Sequence, residues 1–94
     1  MNGKLKMIIN HYGVNAQQRQ LVEEVFELQE AIIQYEEPRR YHSKEHIAEE
    51  IADCYVMIEQ FRLYYGITTE KLKKIMQYKI DRQIERIEDD KRWN

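Results

Sequence analysis

Two stretches of this chain repeat each other at an offset of 26 residues, and that echo restricts what it can fold into. Glu24-Val25-Phe26-Glu27, within QLVEEVFELQEAI, is matched by Glu50-Ile51-Ala52-Asp53, within HIAEEIADCYVMI. Leu21, Val25, Leu28, Ile32 and Tyr35 fall onto Ile47, Ile51, Cys54, Ile58 and Phe61, the same helical stripe in both segments. Ala31 and Met57 share one edge of it. On an α-helix, residues three apart lie about a turn apart on neighbouring faces, so each segment points two carboxylates to one side. If the stripes pack together, Glu24, Glu27, Glu50 and Asp53 are carried toward one seam. Four such acids repel one another and resist desolvation, so a cation is their natural complement.

The rest of the chain reads as flanking helices. Residues 4–12 place Leu5, Ile8, Ile9 and Tyr12 on one face, and Gly13 marks a stop. His11 beside that face reads as a surface or packing histidine, with approach to a ligand as the alternative. Asn15 with Gln18 has a capping-box spacing, predicting a second helix from there to about Glu36. EEPRRYHS, with the only proline, predicts a loop from which Arg39 and Arg40 can close over phosphates. Ser43 and His46 predict the start of a third helix that runs to about Tyr65 and stops at Gly66. Thr68 or Thr69 caps a fourth, with Leu72, Met76, Ile80 and Ile87 on its stripe and Gln83 interrupting it. Lys79, Arg82 and Arg86 line an edge of that helix, as a solvated basic edge laced to Asp81, Glu85 and Glu88 or, beside the acidic seam, as a phosphate clamp. The tail EDDKRWN is expected to fray.

The fold class expected is all-α: one domain over residues 1–94, an antiparallel bundle of about four helices completed by oligomerisation. Val22, Phe26 and Ile33, with Ala48, Ala52, Val56 and Leu63, lie off the main stripes, and one hairpin cannot cover both sides of both helices. A homodimer or homotetramer is the economical solution. Charged residues make up 34% of the chain, yet 15 Lys and Arg against 17 Asp and Glu leave a formal charge of −2. That balance argues against a nucleic-acid or anionic-membrane binder. The short apolar runs predict no membrane span or secretory core, making a cytoplasmic setting the default. Cys54, the single cysteine, reads as a small buried hydrophobe.

His42 and His46 invite a metal reading, but no Glu-x-x-His occurs, so a di-iron carboxylate pattern is absent. An all-oxygen site favours Mg²⁺, or Mn²⁺, over zinc. Metal-bound carboxylates beside a cationic edge suit hydrolysis of a phosphoanhydride. Gln17, Gln20, Tyr64, Tyr65 and Trp93 are candidates for contact with a nucleobase; Gln17 and Gln20, on the acidic edge, read equally as holding a water beside the metal or as solvated helix surface.

Three motifs in order carry a family resemblance: EEVFEL, EEIADC and KIDRQIER. Together they resemble the MazG-like all-α nucleoside triphosphate pyrophosphohydrolases, a superfamily that includes dimeric dUTPases and phosphoribosyl-ATP pyrophosphohydrolases. The resemblance implies an oligomeric helical bundle that cleaves a nucleoside triphosphate between the α- and β-phosphates, giving a monophosphate and pyrophosphate. Glu24, Glu27, Glu50 and Asp53 would hold Mg²⁺, and Lys79, Arg82 and Arg86 would contact phosphates. Phe26 stands where many members have a small residue, and Gln83 replaces the usual asparagine of the last motif. The expected activity is removal of (d)NTPs from the nucleotide pool; the alternatives are phosphoribosyl-ATP as substrate, or a non-catalytic helical module for nucleotide binding or oligomerisation.

Overall fold

Single residues at the helix ends set the architecture of the computed structural model, which describes residues 1–37 and 43–93, the side chain of Trp93 apart. Helix α1 (Asn2–Tyr12) ends at Gly13, which sits at φ 90° and donates its N–H to the Ile9 carbonyl at 2.8 Å. Such a φ favours glycine, because a Cβ would crowd the neighbouring carbonyl. The Gly13 carbonyl accepts from the Gln17 N–H at 3.1 Å, so the same residue opens helix α2 (Val14–Glu36). The cap expected at Asn15 is therefore not used: Asn15 lies within the first turn, and no side chain caps this end.

Helix α3 (Lys44–Tyr64) begins as expected, with Ser43 Oγ accepting the His46 N–H at 3.2 Å. It ends at Tyr65 and Gly66, the latter at φ 68°. Arg62 locks this corner: it holds Glu59 with two hydrogen bonds of 2.8 and 2.9 Å and donates a third, of 2.8 Å, to the Ile67 carbonyl. Thr68 Oγ1 then caps helix α4 (Thr69–Trp93) by accepting the Lys71 N–H at 3.1 Å. Helix α4 takes in the tail as far as Trp93; Lys91 and Arg92 stand in its last turn, where cations complement the helix dipole. Arg39, Arg40 and His42 lie outside the described residues.

Among the described residues the chain is all-helical, and α1, α2 and α3 pack together as a bundle. Helix α4 packs against none of them; only its first turns approach α3, through Leu72 and Met76 across open apolar grooves. The radius of gyration, 17.1 Å, reflects this projection, since a compact chain of this length has about 12 Å.

The α2–α3 seam runs along an edge of the expected stripe rather than its centre. Ala31, Cys54 and Met57 are buried and Leu28 half-buried, whereas Val25, Ile32, Ile51 and Ile58 are exposed. Small side chains at Ala31 and Cys54 favour close approach along that edge. The antiparallel register follows from three pairings: Gln17 with Gln60, the Glu24 backbone with Cys54, and Glu27 with Glu50. Leu5 and Ile9 of α1 complete the core.

Candidate metal centre

The rotated seam draws Glu50 and, less fully, Glu24 inward. Glu24, Glu27 and Glu50 bring one carboxylate oxygen each to within 4.8 Å of one another. Glu50 is 9% exposed, Glu24 half-buried and Glu27 exposed, so the trio spans from the seam to solvent. Glu24 Oε1 accepts a 2.8 Å hydrogen bond from the Gln20 amide. Glu50 Oε1 lies 3.9 Å from His46 Nε2. The second oxygens, Glu24 Oε2 and Glu50 Oε2, are buried without a hydrogen-bond partner. A buried carboxylate oxygen lacking a donor is costly, and a hard cation is the complement that matches several at once. Asp53 is exposed and lies outside the trio, although its charge is felt at Glu27.

An open groove of about 310 Å³ lies to one side of the trio, lined by Glu27, Glu30, Ala31, Gln34, His46 and Glu50 but not by Glu24. The side chain of Glu27 titrates above its ordinary value of 4.5, first because protein around it strips water from the charge, then because of Glu50, whose carboxylate repels it and accepts a hydrogen bond from its protonated form; Glu23 and Asp53 add repulsion. The fold therefore binds this proton more tightly than the unfolded chain does. The resulting stability is fully present below 4.5 and is lost as pH rises through the raised value. In chelator-treated buffer, thermal melts from about pH 4 to about pH 7 are expected to show wild type losing ground steadily to Glu27→Gln, with Mg²⁺ abolishing the difference. Parallel pH profiles for the two proteins would contradict the repulsion.

Comparison of the chain with protein-family models, with curated proteins and with solved structures finds no match. The site therefore rests on its own geometry. The three cations read as a phosphate clamp are not beside the acids of their own chain. Lys79, Arg82 and Arg86 ride on projecting α4, where Arg82 lies over the Tyr78 ring at 5.7 Å, and among the described residues none of the three makes an ion pair. An apolar stripe predicts that a helix packs, but not that it packs within its own chain.

The base-contact candidates also separate. Gln17 is buried, with its amide donating to Gln60 Oε1 at 2.8 Å, which makes it part of the core. Gln20 stays at the acidic edge. Tyr64 and Tyr65 are exposed at the far end of α3, about 20 Å along the helix from Glu50. His11 is a surface residue packed edge-on against Tyr12, with ring centroids 4.7 Å apart. Phe26 lies on the outer face of α2, lining a groove with Ile33 and Gln34 rather than narrowing the acidic one. The Cys54 thiol, buried and ringed by the acids, is pushed up from its ordinary value by desolvation first and by Glu24, Glu50, Asp53 and Glu27 after it. It donates to the Glu24 carbonyl at 3.4 Å, which suits an inert packing role. Sequence reasoning missed His46 as a neighbour of Glu50; their four-residue spacing on one helix was the available signal.

Proposed function

We propose that the chain is a Mg²⁺-dependent nucleoside triphosphate pyrophosphohydrolase, active as a homo-oligomer and releasing a nucleoside monophosphate and pyrophosphate. The observation that carries this reading is the converging trio with two buried, unpartnered carboxylate oxygens. Glu24, Glu27 and Glu50 hold the cation. When bound, Mg²⁺ neutralises phosphate oxygens and acidifies water. Gln20 fixes the orientation of Glu24 through its hydrogen bond. Asp53, exposed and outside the trio, takes the proton from the attacking water. The motif resemblance supplies the substrate class and the bond cleaved.

The exposed surface supports association. Val25, Ile32, Ile51 and Ile58 on the hairpin, with Ile75, Met76, Ile80, Ile84 and Ile87 on α4, leave more apolar side chain in water than an isolated domain of this size tolerates. A second copy covers it, and the assembly leaves Lys79, Arg82 and Arg86 available for phosphates bound at a neighbouring copy's trio. The separation of these cations from the acids in one chain also favours a second reading, a helical oligomerisation module that binds nucleotide and Mg²⁺ without turning it over.

Incubation with Mg²⁺ and a panel of canonical and modified nucleoside triphosphates, resolving monophosphate plus pyrophosphate from diphosphate plus phosphate, tests the reading. Monophosphate and pyrophosphate that vanish with EDTA support it. Nucleotide binding without turnover favours the module, and turnover of phosphoribosyl-ATP alone reassigns the substrate. Asp53→Asn is expected to lower turnover by about 100-fold or more while cation affinity changes little, because a proton acceptor is removed and the trio is kept. Loss of cation binding in the same variant would make Asp53 a ligand instead.

A further inference from the structure

The edge of α2 that carries the acids continues toward the helix start, where Ala16 and Gln20 lie on the same side as Glu24 and Glu27. There it meets the end of α1. An open groove of about 410 Å³ at this corner is lined by Tyr12, Ala16, Gln17 and Gln20. The Gly13 corner holds Tyr12 beside it, and the residue is 63% exposed, its ring perpendicular to that of His11. The Ala16 methyl leaves room for a flat group against the ring.

We propose that this groove is the nucleobase subsite, with Tyr12 supplying the stacking face and Gln20 the polar contact; the inference rests on the nucleotide reading above and deepens it. Gln20 points its amide nitrogen at Glu24 Oε1, at 2.8 Å, which orients the side chain. Its carbonyl oxygen, which no donor among the described residues reaches, is an acceptor for an exocyclic amino or ring N–H of a base. Gln17 is excluded from that role because its amide is spent on Gln60. Ala16 and Gln20 stand one to three turns from Glu24 and Glu27, about 6–16 Å along the helix, and the shorter separations match the reach of a sugar and a phosphate from base to cleaved bond. The groove on the other side of the trio is lined by Glu27, Glu30 and Glu50, which suit a cation and offer no aromatic face. One carboxylate edge thus connects a stacking platform to a cation site.

The test compares nucleoside triphosphate with inorganic tripolyphosphate, which has no base, in wild type, Tyr12→Ala and Tyr12→Phe, alongside NMR titration with a nucleoside monophosphate. In Tyr12→Ala, KM for the nucleotide is expected to rise about tenfold, the value of one stacked base, while tripolyphosphate is unaffected and Tyr12→Phe behaves as wild type. The monophosphate is expected to shift the resonances of Tyr12, Ala16 and Gln20. Turnover whose preference for nucleotide over tripolyphosphate survives Tyr12→Ala overturns the subsite and leaves the hydrolase reading standing. Monophosphate binding at Tyr12 without turnover of any triphosphate supports the subsite and refutes the hydrolase. Monophosphate shifts confined to other residues, or absent, overturn the subsite.

Discussion

Glu50→Gln is expected to raise the melting temperature of the cation-free protein and, in the same molecule, to remove its catalytic activity. Glu50 is the most buried of the trio, carries one oxygen without a donor, and repels the carboxylate of Glu27. A glutamine keeps the shape, removes the repulsion and supplies an N–H to donate to Glu27. Relieving one unsatisfied charged acceptor is worth about 1–3 kcal/mol, and each kcal/mol corresponds to about 4–8 °C in a domain of this size. Losing a charged ligand costs about 10²–10³ in turnover, the scale for removing one preorganised electrostatic group. The variant also loses its response to cation. Wild type is expected to gain about 2.7 kcal/mol at a Mg²⁺ concentration 100 times the dissociation constant, and EDTA reverses the gain. Scanning calorimetry of both proteins, with Mg²⁺ and with EDTA, checks each point. A destabilised variant that retains turnover and its Mg²⁺ response would remove the acidic seam from the mechanism.

The parts of this fold that were legible in the sequence are those decided within a few residues. Gly13, Ser43, Gly66 and Thr68 mark helix ends by local backbone and hydroxyl chemistry, and each performs there. Of the paired acids, Glu24, Glu27 and Glu50 converge, whereas Asp53, three residues after Glu50, stays exposed outside the trio, because a shared side of a helix is not a shared point. What the pattern did not decide was the packing edge. The apolar arc that begins at Leu21 spans enough of α2 for several rotations to bury part of it, and the choice is made by partners 30 and 43 residues apart: Cys54 against the Glu24 backbone, and Gln17 against Gln60. That rotation places Glu50 inside and leaves Val25 and Ile58 outside. The position of α4 was equally beyond periodicity, because its direction is set by the corner that Arg62 locks. Tyr12 drew notice only as one apolar position of α1; its part in a groove depends on the turn at Gly13.

The long-range pair that sets this register is the second place where a single substitution should have a large effect. Gln60 is 1% exposed, accepts a 2.8 Å hydrogen bond from Gln17 through Oε1 and points Nε2 at Met57 Sδ, 3.7 Å away. Gln60→Leu fills similar space but leaves the Gln17 N–H buried without an acceptor, a cost of about 1–3 kcal/mol. A melting temperature lower by at least about 4 °C is expected. Gln17→Leu/Gln60→Leu removes both ends, so the double variant should recover most of that loss, and the cycle should return a coupling of at least about 0.5 kcal/mol. Recovered stability need not restore function, because apolar residues can slide where a paired amide cannot. Pinning Gln17 to Gln60 also pins Glu24 and Glu27 against Glu50, about two to three helical turns further along. The double variant is therefore expected to melt close to wild type while binding Mg²⁺ more weakly, a dissociation of stability from affinity that calorimetry can resolve. Equal losses in the single and double variants would mean that the bond contributes shape alone, and that the register of the trio is held elsewhere in the seam.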